Sequence, residues 1–347
     1  MSFRDVLGHG ARLAELRRAL AEDRLPHALL FTGKRGVGKR RVADALTAAR
    51  LCEAGGDDAC GSCGSCRAVA HGNHADVEVV VREPGKRDVG IEQVRLLSER
   101  LFRKGYGGRG KVAIVDDADR LTSQAQNAFL KTLEEPPPGT TLVLVSSNAE
   151  RLLPTVRSRC SIHRFGSLSD ADLEAYAERA GLAPISVPLS LAHGAPGNLL
   201  LLAAPDVERV RREAVRFALR PGAVSPFDFA AELLEQADGA AREGDEAAPE
   251  EVRERVRDRL RIYLRLVAAA FRDLRVLSLG LEHAPLLHSD CDEPLRAAAA
   301  AAPADAPERF EAAVDICDAA VLDLRGNVDR ALLLEDAARR IRLQLAG

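Results

Sequence analysis

The stretch Gly33-Lys-Arg-Gly-Val-Gly-Lys-Arg40 constrains this chain more than any other, because of what flanks it. An apolar run, His27–Thr32 (HALLFT), leads into it, and a helical pattern running to Leu51 leads out. A glycine-rich turn between a buried strand and a helix lets backbone N–H groups converge in front of the helix N-terminus, where the helix carries partial positive charge. The spacing Gly-x-x-x-x-Gly-Lys is that of a phosphate-binding loop, in which Lys39 reaches the outer oxygens of a phosphate chain. Gly33, Gly36, Gly38, Lys39 and Arg40 are therefore the candidate nucleotide contacts. The pattern breaks at Arg40, where a Ser or Thr hydroxyl should hold Mg²⁺. A guanidinium has donors only and cannot ligate a cation. These residues predict a phosphate site with an impaired metal site, so ATP is a doubtful cofactor; a loop retained for folding alone is the other reading.

The rest of the first half supports a nucleotide-binding type of α/β domain. Val77–Val81, Lys111–Val115, Thr141–Ser146 and Ile162–Phe165 are short apolar runs without strict alternation. That pattern indicates strands buried on both faces, hence a parallel sheet with helices on either side. Helices are expected near Arg40–Leu51, Ile91–Phe102 and Ser123–Leu133. The run Val112-Ala-Ile-Val-Asp116-Asp117 delivers two carboxylates at the end of a strand. Downstream of a phosphate loop, such a pair holds Mg²⁺ and polarises the attacking water. Asp119 reads as a cap for the helix that follows.

Of seven cysteines, four cluster as Cys52-x₇-Cys60-x₂-Cys63-x₂-Cys66. The glycines between the last three let the thiolates converge on one tetrahedral ion, and four sulfurs close its shell. A structural zinc is expected. Neighbouring His71 and His74 are read as loop residues, and Cys160, Cys291 and Cys317 as packed in cores. No apolar run is long enough to span a bilayer, and the N-terminus is amphipathic and charged, so a cytoplasmic protein is expected.

After Phe165 the strand signal stops. A short helix from about Ser169 to Ala180, then Pro184, Pro188 and the turn Gly194–Gly197, mark a small helical unit. The remainder reads as all-helical, interrupted by a polar loop at Gly239–Pro249. The positions Val252, Val256, Leu260, Tyr263, Val267, Phe271 and Leu274 form an apolar stripe expected to be internal core. The 347 residues thus divide into 1–165, an α/β P-loop domain with a four-cysteine module; 166–204, a small helical lid; and 205–347, an all-helical C-terminal domain. The 49 basic and 52 acidic residues leave a net charge of −3, so any contact with nucleic acid has to be local.

Taken together, HALLFTGKRGVGKR, the four-cysteine insert, VAIVDDADRLTSQAQNAFLKTLEEPPPGTTLVLVSSN and LLPTVRSRC resemble the clamp-loader branch of the AAA+ ATPases. The likeness covers about residues 27–165, and HGAPGN and NVDRALLLEDAARRIRLQL are similar less distinctively. The resemblance implies an AAA+ fold with a lid and a C-terminal collar packed in a ring with gamma/tau and delta subunits. It implies a role in loading the sliding clamp on primer-template DNA during replication, gripped through non-specific backbone contacts. Ser147 and Asn148 resemble the position that senses the γ-phosphate. Arg159 resembles an arginine finger given in trans to a neighbouring gamma/tau site. At the second sensor, Asn198 stands where a motor of the family carries Arg. With Arg40, this departure implies a stator whose acidic pair Asp116 and Asp117 is vestigial. The alternatives are an active motor of the same family, using Lys39, Asp116 and Asp117, and a free-standing P-loop phosphotransferase.

Overall fold

The computed structural model describes residues 1–83, 86–182, 189–242, 249–281, 283–324, 326 and 328–346. The chain divides into two compact units: Met1–Tyr176 with Gly194–Gly197, and Ala177–His193 with Asn198–Gly347.

The first unit is a five-stranded, wholly parallel sheet in the order β2-β3-β4-β1-β5. Its strands are β1 (Ala28–Thr32), β2 (Val77–Val80), β3 (Lys111–Val115), β4 (Thr140–Ser146) and β5 (Ser161–Arg164). All five lie within a residue or two of the apolar runs that announced them. Every residue of β3 and β4 is buried, which is why these runs show no alternation. Successive residues instead serve opposite cores. Leu29, Phe31, Ile114 and Val145 pack on one face with α1 (Gly10–Ala21) and α2 (Lys39–Leu51). Leu30, Val115, Leu142 and Leu144 pack on the other with residues of α4 (Ile91–Phe102), α5 (Ser123–Glu134) and α6 (Pro154–Arg157). Between α2 and α4 lies α3 (Gly64–Ala70), a helix inside the cysteine insert.

This strand order places the site. β1 carries the glycine loop at its C-terminal end, β3 carries Asp116 and Asp117, and β4 lies between them. Ligands of open α/β sheets sit at such C-terminal strand ends, where the order reverses.

Helices α7 (Asp170–Arg179) and α8 (Pro196–Leu202) come next in the chain, each partly in either unit. Pro184 and Pro188, read as breaks between them, lie outside the described residues.

The second unit also contains α9 (Pro205–Leu219), α10 (Pro226–Arg242), α11 (Pro249–Ser278), α12 (Asp292–Ala300), α13 (Ala306–Asp323) and α14 (Arg330–Ala346). The stripe on α11 is internal core: Val256, Leu260, Tyr263, Val267, Phe271 and Leu274 are all buried. Phe217 stacks on Phe229 at 4.2 Å between ring centroids. The loop expected from Gly239 begins later. α10 continues through Gly239 to Arg242, because Ala240 and Ala241 favour another helical turn enough to carry one glycine. Residues 243–248 of that loop lie outside the described residues.

Candidate functional site

Gly33, Gly36 and Gly38 have φ of 147°, 83° and 101°, a region that side chains avoid. Gly33 is fixed by contact as well, since a Cβ there would meet the Phe165 carbonyl oxygen at 2.1 Å. Nothing lies within 4 Å of a Cβ built on Gly38, so the ground in front of α2 is open there. The loop's carbonyls are tied outward. Lys39 Nζ donates to the carbonyls of Gly33 and Lys34, both at 2.7 Å. The backbone N–H of Gly197 donates to Gly36 O at 3.0 Å, and His9 Nε2 lies 2.8 Å from Val37 O. Lys39 is only 5% exposed. Burial lowers its pKa to about 8, although Asp119, Asp116 and Asp117 favour its charge.

Arg40 does more than interrupt the loop pattern. Its Nη1 donates to Asp116 Oδ2 at 2.9 Å, while Nε donates to Asp44 Oδ1 at 2.9 Å. The carboxylate that would hold a metal is therefore bound to a guanidinium. Burial opposes the Arg40 charge, but Asp44 and Asp116 outweigh it and raise its pKa. The donor set does not suit Mg²⁺: the position of the ligating hydroxyl carries a cation, and Asp116 is engaged by it. Asp117 sits in the left-handed region at φ 48°. Burial and the neighbouring Asp116 raise its pKa.

Asp119 does not cap α5, as its sequence position suggested; Thr122 does, its hydroxyl accepting from Ala125 N at 3.1 Å. Asp119 Oδ1 accepts instead from Ser146 Oγ (3.0 Å) and Ser147 N (2.8 Å), tying the end of β3 to the end of β4. Asn148 Oδ1 accepts from Glu150 N at 3.1 Å and caps the short turn Ala149–Arg151. Arg159 follows α6, donates through Nη1 to Thr155 O at 2.9 Å, and pairs through Nη2 with Glu134. Asn198 Nδ2 donates to Ala192 O at 3.2 Å.

The Sγ atoms of Cys52, Cys60, Cys63 and Cys66 all lie within 4.8 Å of one another. Tetrahedral zinc with bonds of about 2.3 Å would bring them to about 3.8 Å, and Cys60 and Cys66 already stand at 4.0 Å. Backbone N–H groups of Cys60, Cys63 and Cys66 donate to the sulfurs of Cys52, Cys60 and Cys63 at 3.3–3.4 Å. Hydrogen bonds from the Ser62 backbone and hydroxyl bring Cys60 down to about 6, toward the thiolate a metal needs. Burial holds Cys66 at about 12. The four thiols fit a metal ion. His74 is turned elsewhere: its Nδ1 accepts from Asp76 N at 3.1 Å and its Nε2 meets Ser65 Oγ at 2.8 Å.

Comparison with known proteins follows this geometry. Residues 8–169 match the family described as DNA polymerase III, delta subunit. Over that span the chain is similar to that family. The delta-prime subunit of DNA polymerase III from Bacillus subtilis is 36% identical over 159 residues, 46% of this chain and 48% of that protein. The delta-prime subunit from Escherichia coli is 41% identical over 138 residues, 40% and 41% respectively. The tau/gamma subunit of Haemophilus influenzae is 33% identical over 174 residues, 50% of this chain and 25% of that one. The chain spans about half the length of the curated delta-prime relatives it matches. Among solved structures, a gamma subunit-related protein of Thermotoga maritima aligns at TM-score 0.46 and 16% identity over 96% of this chain and 99% of that one, too loosely to bear on function.

Three residues at the loop escaped sequence reasoning. His9, held at φ 59° with its ring edge-on to Phe165 at 5.1 Å, supports the loop backbone; one histidine ahead of a helix carries no signal. Gly197 reaches the loop from beyond the sheet, which spacing cannot show. Asp44 was findable, since it lies four residues beyond Arg40 on α2, where helix side chains meet.

Proposed function

We propose that the chain is a non-hydrolysing stator subunit of a replicative clamp loader. On this reading residues 1–165 are its AAA+ domain, 166–204 its lid and 205–347 its collar. It stands in a ring with gamma/tau and delta subunits and gives Arg159 to the γ-phosphate of a neighbouring gamma/tau site. There a guanidinium stabilises charge developing in the transition state. The ring places the sliding clamp on primer-template DNA, which it holds by backbone contacts that carry no sequence information. The matches to delta-prime and tau/gamma subunits of DNA polymerase III support membership of such an assembly.

The observation that carries the non-hydrolysing part is the Arg40–Asp116 ion pair, which leaves this chain's own acidic pair without a metal to position. Lys39, Gly33, Gly36 and Gly38 remain suited to hold a phosphate group, with ATP as the nucleotide in question. Asn148 is the proposed contact to its far end. Arg159 would exchange Glu134 for the neighbour's phosphate when the ring closes. Zinc, held by Cys52, Cys60, Cys63 and Cys66, would cross-link the end of α2 to α3. Four thiolates leave it no open position for chemistry.

Phosphate release by the purified chain with MgATP tests this reading. Release at buffer background is expected; turnover that vanishes in Lys39→Ala would contradict it.

A further inference from the structure

Resting on the reading of Gly33–Lys39 as a phosphate loop, we propose that Arg40 is a built-in replacement for the divalent cation. Its guanidinium holds Asp116 and Asp44 together where a P-loop enzyme would hold a metal, so the site takes up no Mg²⁺ and needs none.

The argument begins with where a metal would go. In a P-loop enzyme the cation is held between the first helical hydroxyl after the lysine and the first carboxylate after the acidic strand. Here those positions are Arg40 and Asp116, and they are joined directly at 2.9 Å. A second carboxylate, Asp44, accepts from Nε of the same guanidinium at 2.9 Å. One planar cation thus spans two carboxylates, from the first turn of α2 to the end of β3, and it comes attached to the chain.

Charge balance points the same way. Asp44, Asp116, Asp117 and Asp119 gather at the C-terminal ends of the strands and the start of α2. Acidic groups this dense repel one another: the Asp117 pKa is raised first by burial and then further by Asp116 and Asp119. Lys39 and Arg40 supply positive charge beside Asp116, and Arg35 and Arg82 act on Asp117 as well. Arg40 stays charged at every accessible pH, so its neutralising effect does not depend on metal supply. A divalent ion approaching Asp116 would have to displace a tethered guanidinium and accept it as a close neighbour of like charge. Conversely, without the guanidinium, Asp116 and Asp44 would be left as an oxygen-rich site, with Thr at position 40 restoring the missing hydroxyl ligand.

The test uses the full-length, zinc-replete chain by itself. Wild type, Arg40→Thr, Arg40→Lys and Arg40→Thr/Asp116→Asn are compared for Mn²⁺ uptake and for melting temperature. Uptake is read from the electron paramagnetic resonance signal of free Mn²⁺, with and without ATP; melting is followed with rising Mg²⁺ or Mn²⁺. The expected result is that wild type leaves Mn²⁺ free, or held by ATP alone, and melts at one temperature whatever the metal. Arg40→Thr should melt lower without metal, regain stability as metal is added, and bind Mn²⁺ at least about tenfold more tightly than wild type. Arg40→Lys, which keeps the charge, should ignore the metal, and Asp116→Asn should cancel the response of Arg40→Thr. The proposal is overturned if wild type binds Mn²⁺ as well as Arg40→Thr does. It is equally overturned if Arg40→Thr stays indifferent to both metals. Should Arg40→Thr not fold even with metal present, a metal response in Arg40→Lys would overturn the proposal and indifference in it would uphold it. No partner subunit is required, so the result stands apart from whether Arg159 serves a neighbour.

Discussion

Lys39 is a buried cation whose pKa falls from its usual 10.5 to about 8, chiefly through burial. Between those pH values the unfolded chain holds a proton on this side chain that the folded chain has released. Stability from this residue therefore rises with pH across the window and is lowest below pH 8. In Lys39→Met that rise should disappear. Urea midpoints of both proteins from pH 7 to 10 check this, read as a difference because tyrosines and thiols titrate in the same range. Parallel curves would show that Lys39 pays no burial penalty. The anomaly at position 40 was plain in the sequence, and its consequence was half legible. The partner four residues along α2 follows from helix spacing, whereas Asp116, 76 residues away, becomes a partner only when β3 comes to lie two strands from β1. The reverse held at Asp119, where proximity to a helix start suggested a cap and the sheet gave the side chain a partner on β4.

Among elements, the strands were the most legible, because burial on both faces leaves continuous apolar runs with sharp ends. The helix α3 was not, since its seven residues include Gly64 and Cys66 of the cysteine cluster and show no apolar period. Its position depends on ties into the insert. Asp58 Oδ1 accepts from Phe3 N at 2.9 Å, Arg17 pairs with Asp57 at 2.7 Å, and Arg109 donates to Glu53 O at 2.7 Å. Chelation of zinc should therefore open residues 52–73 to proteolysis and lower the melting temperature, while leaving Lys39 and its loop contacts in place. Metal analysis should give one zinc per chain; a zinc-free protein with the same protease resistance would contradict the assignment. In the second unit, Arg211 of α9 is 2% exposed and forks onto Glu208 at 2.9 and 3.0 Å and onto Asp290 at 2.9 and 2.6 Å. No sequence pattern links residue 211 to residue 290. Arg211→Met would strip the half-exposed Asp290 of its partner while Glu208 keeps Arg212 at 2.8 Å, and should cost about 1–2 kcal/mol, measured as a shift in denaturant midpoint. A shift under about 0.5 kcal/mol, the size usual for surface substitutions, would mean that water replaces the guanidinium.

At the scale of the whole molecule, a parallel P-loop sheet with a long helical remainder was readable from pattern alone. The allocation of segments was not: Gly194–Gly197 belongs with the sheet, although the chain around it belongs to the helical unit. A hydrogen bond between Gly197 and Gly36 holds that return, and a Cβ on Gly197 would meet Gly36 Cα at 2.9 Å. In the proposed function the residue offered to a neighbour is Arg159, which pairs with Glu134 and lies just after α6. The central claim is that this chain serves another chain's chemistry and performs none of its own. ATP hydrolysis by the reconstituted loader, with clamp and primed DNA present, tests it most directly when wild type, Arg159→Ala and Lys39→Ala are compared. The account predicts that Arg159→Ala removes most of the stimulated hydrolysis, by a factor of about 10³ at the site it completes, while Lys39→Ala leaves the rate near wild type. A normal rate with Arg159→Ala, or an equal loss with Lys39→Ala, would contradict it.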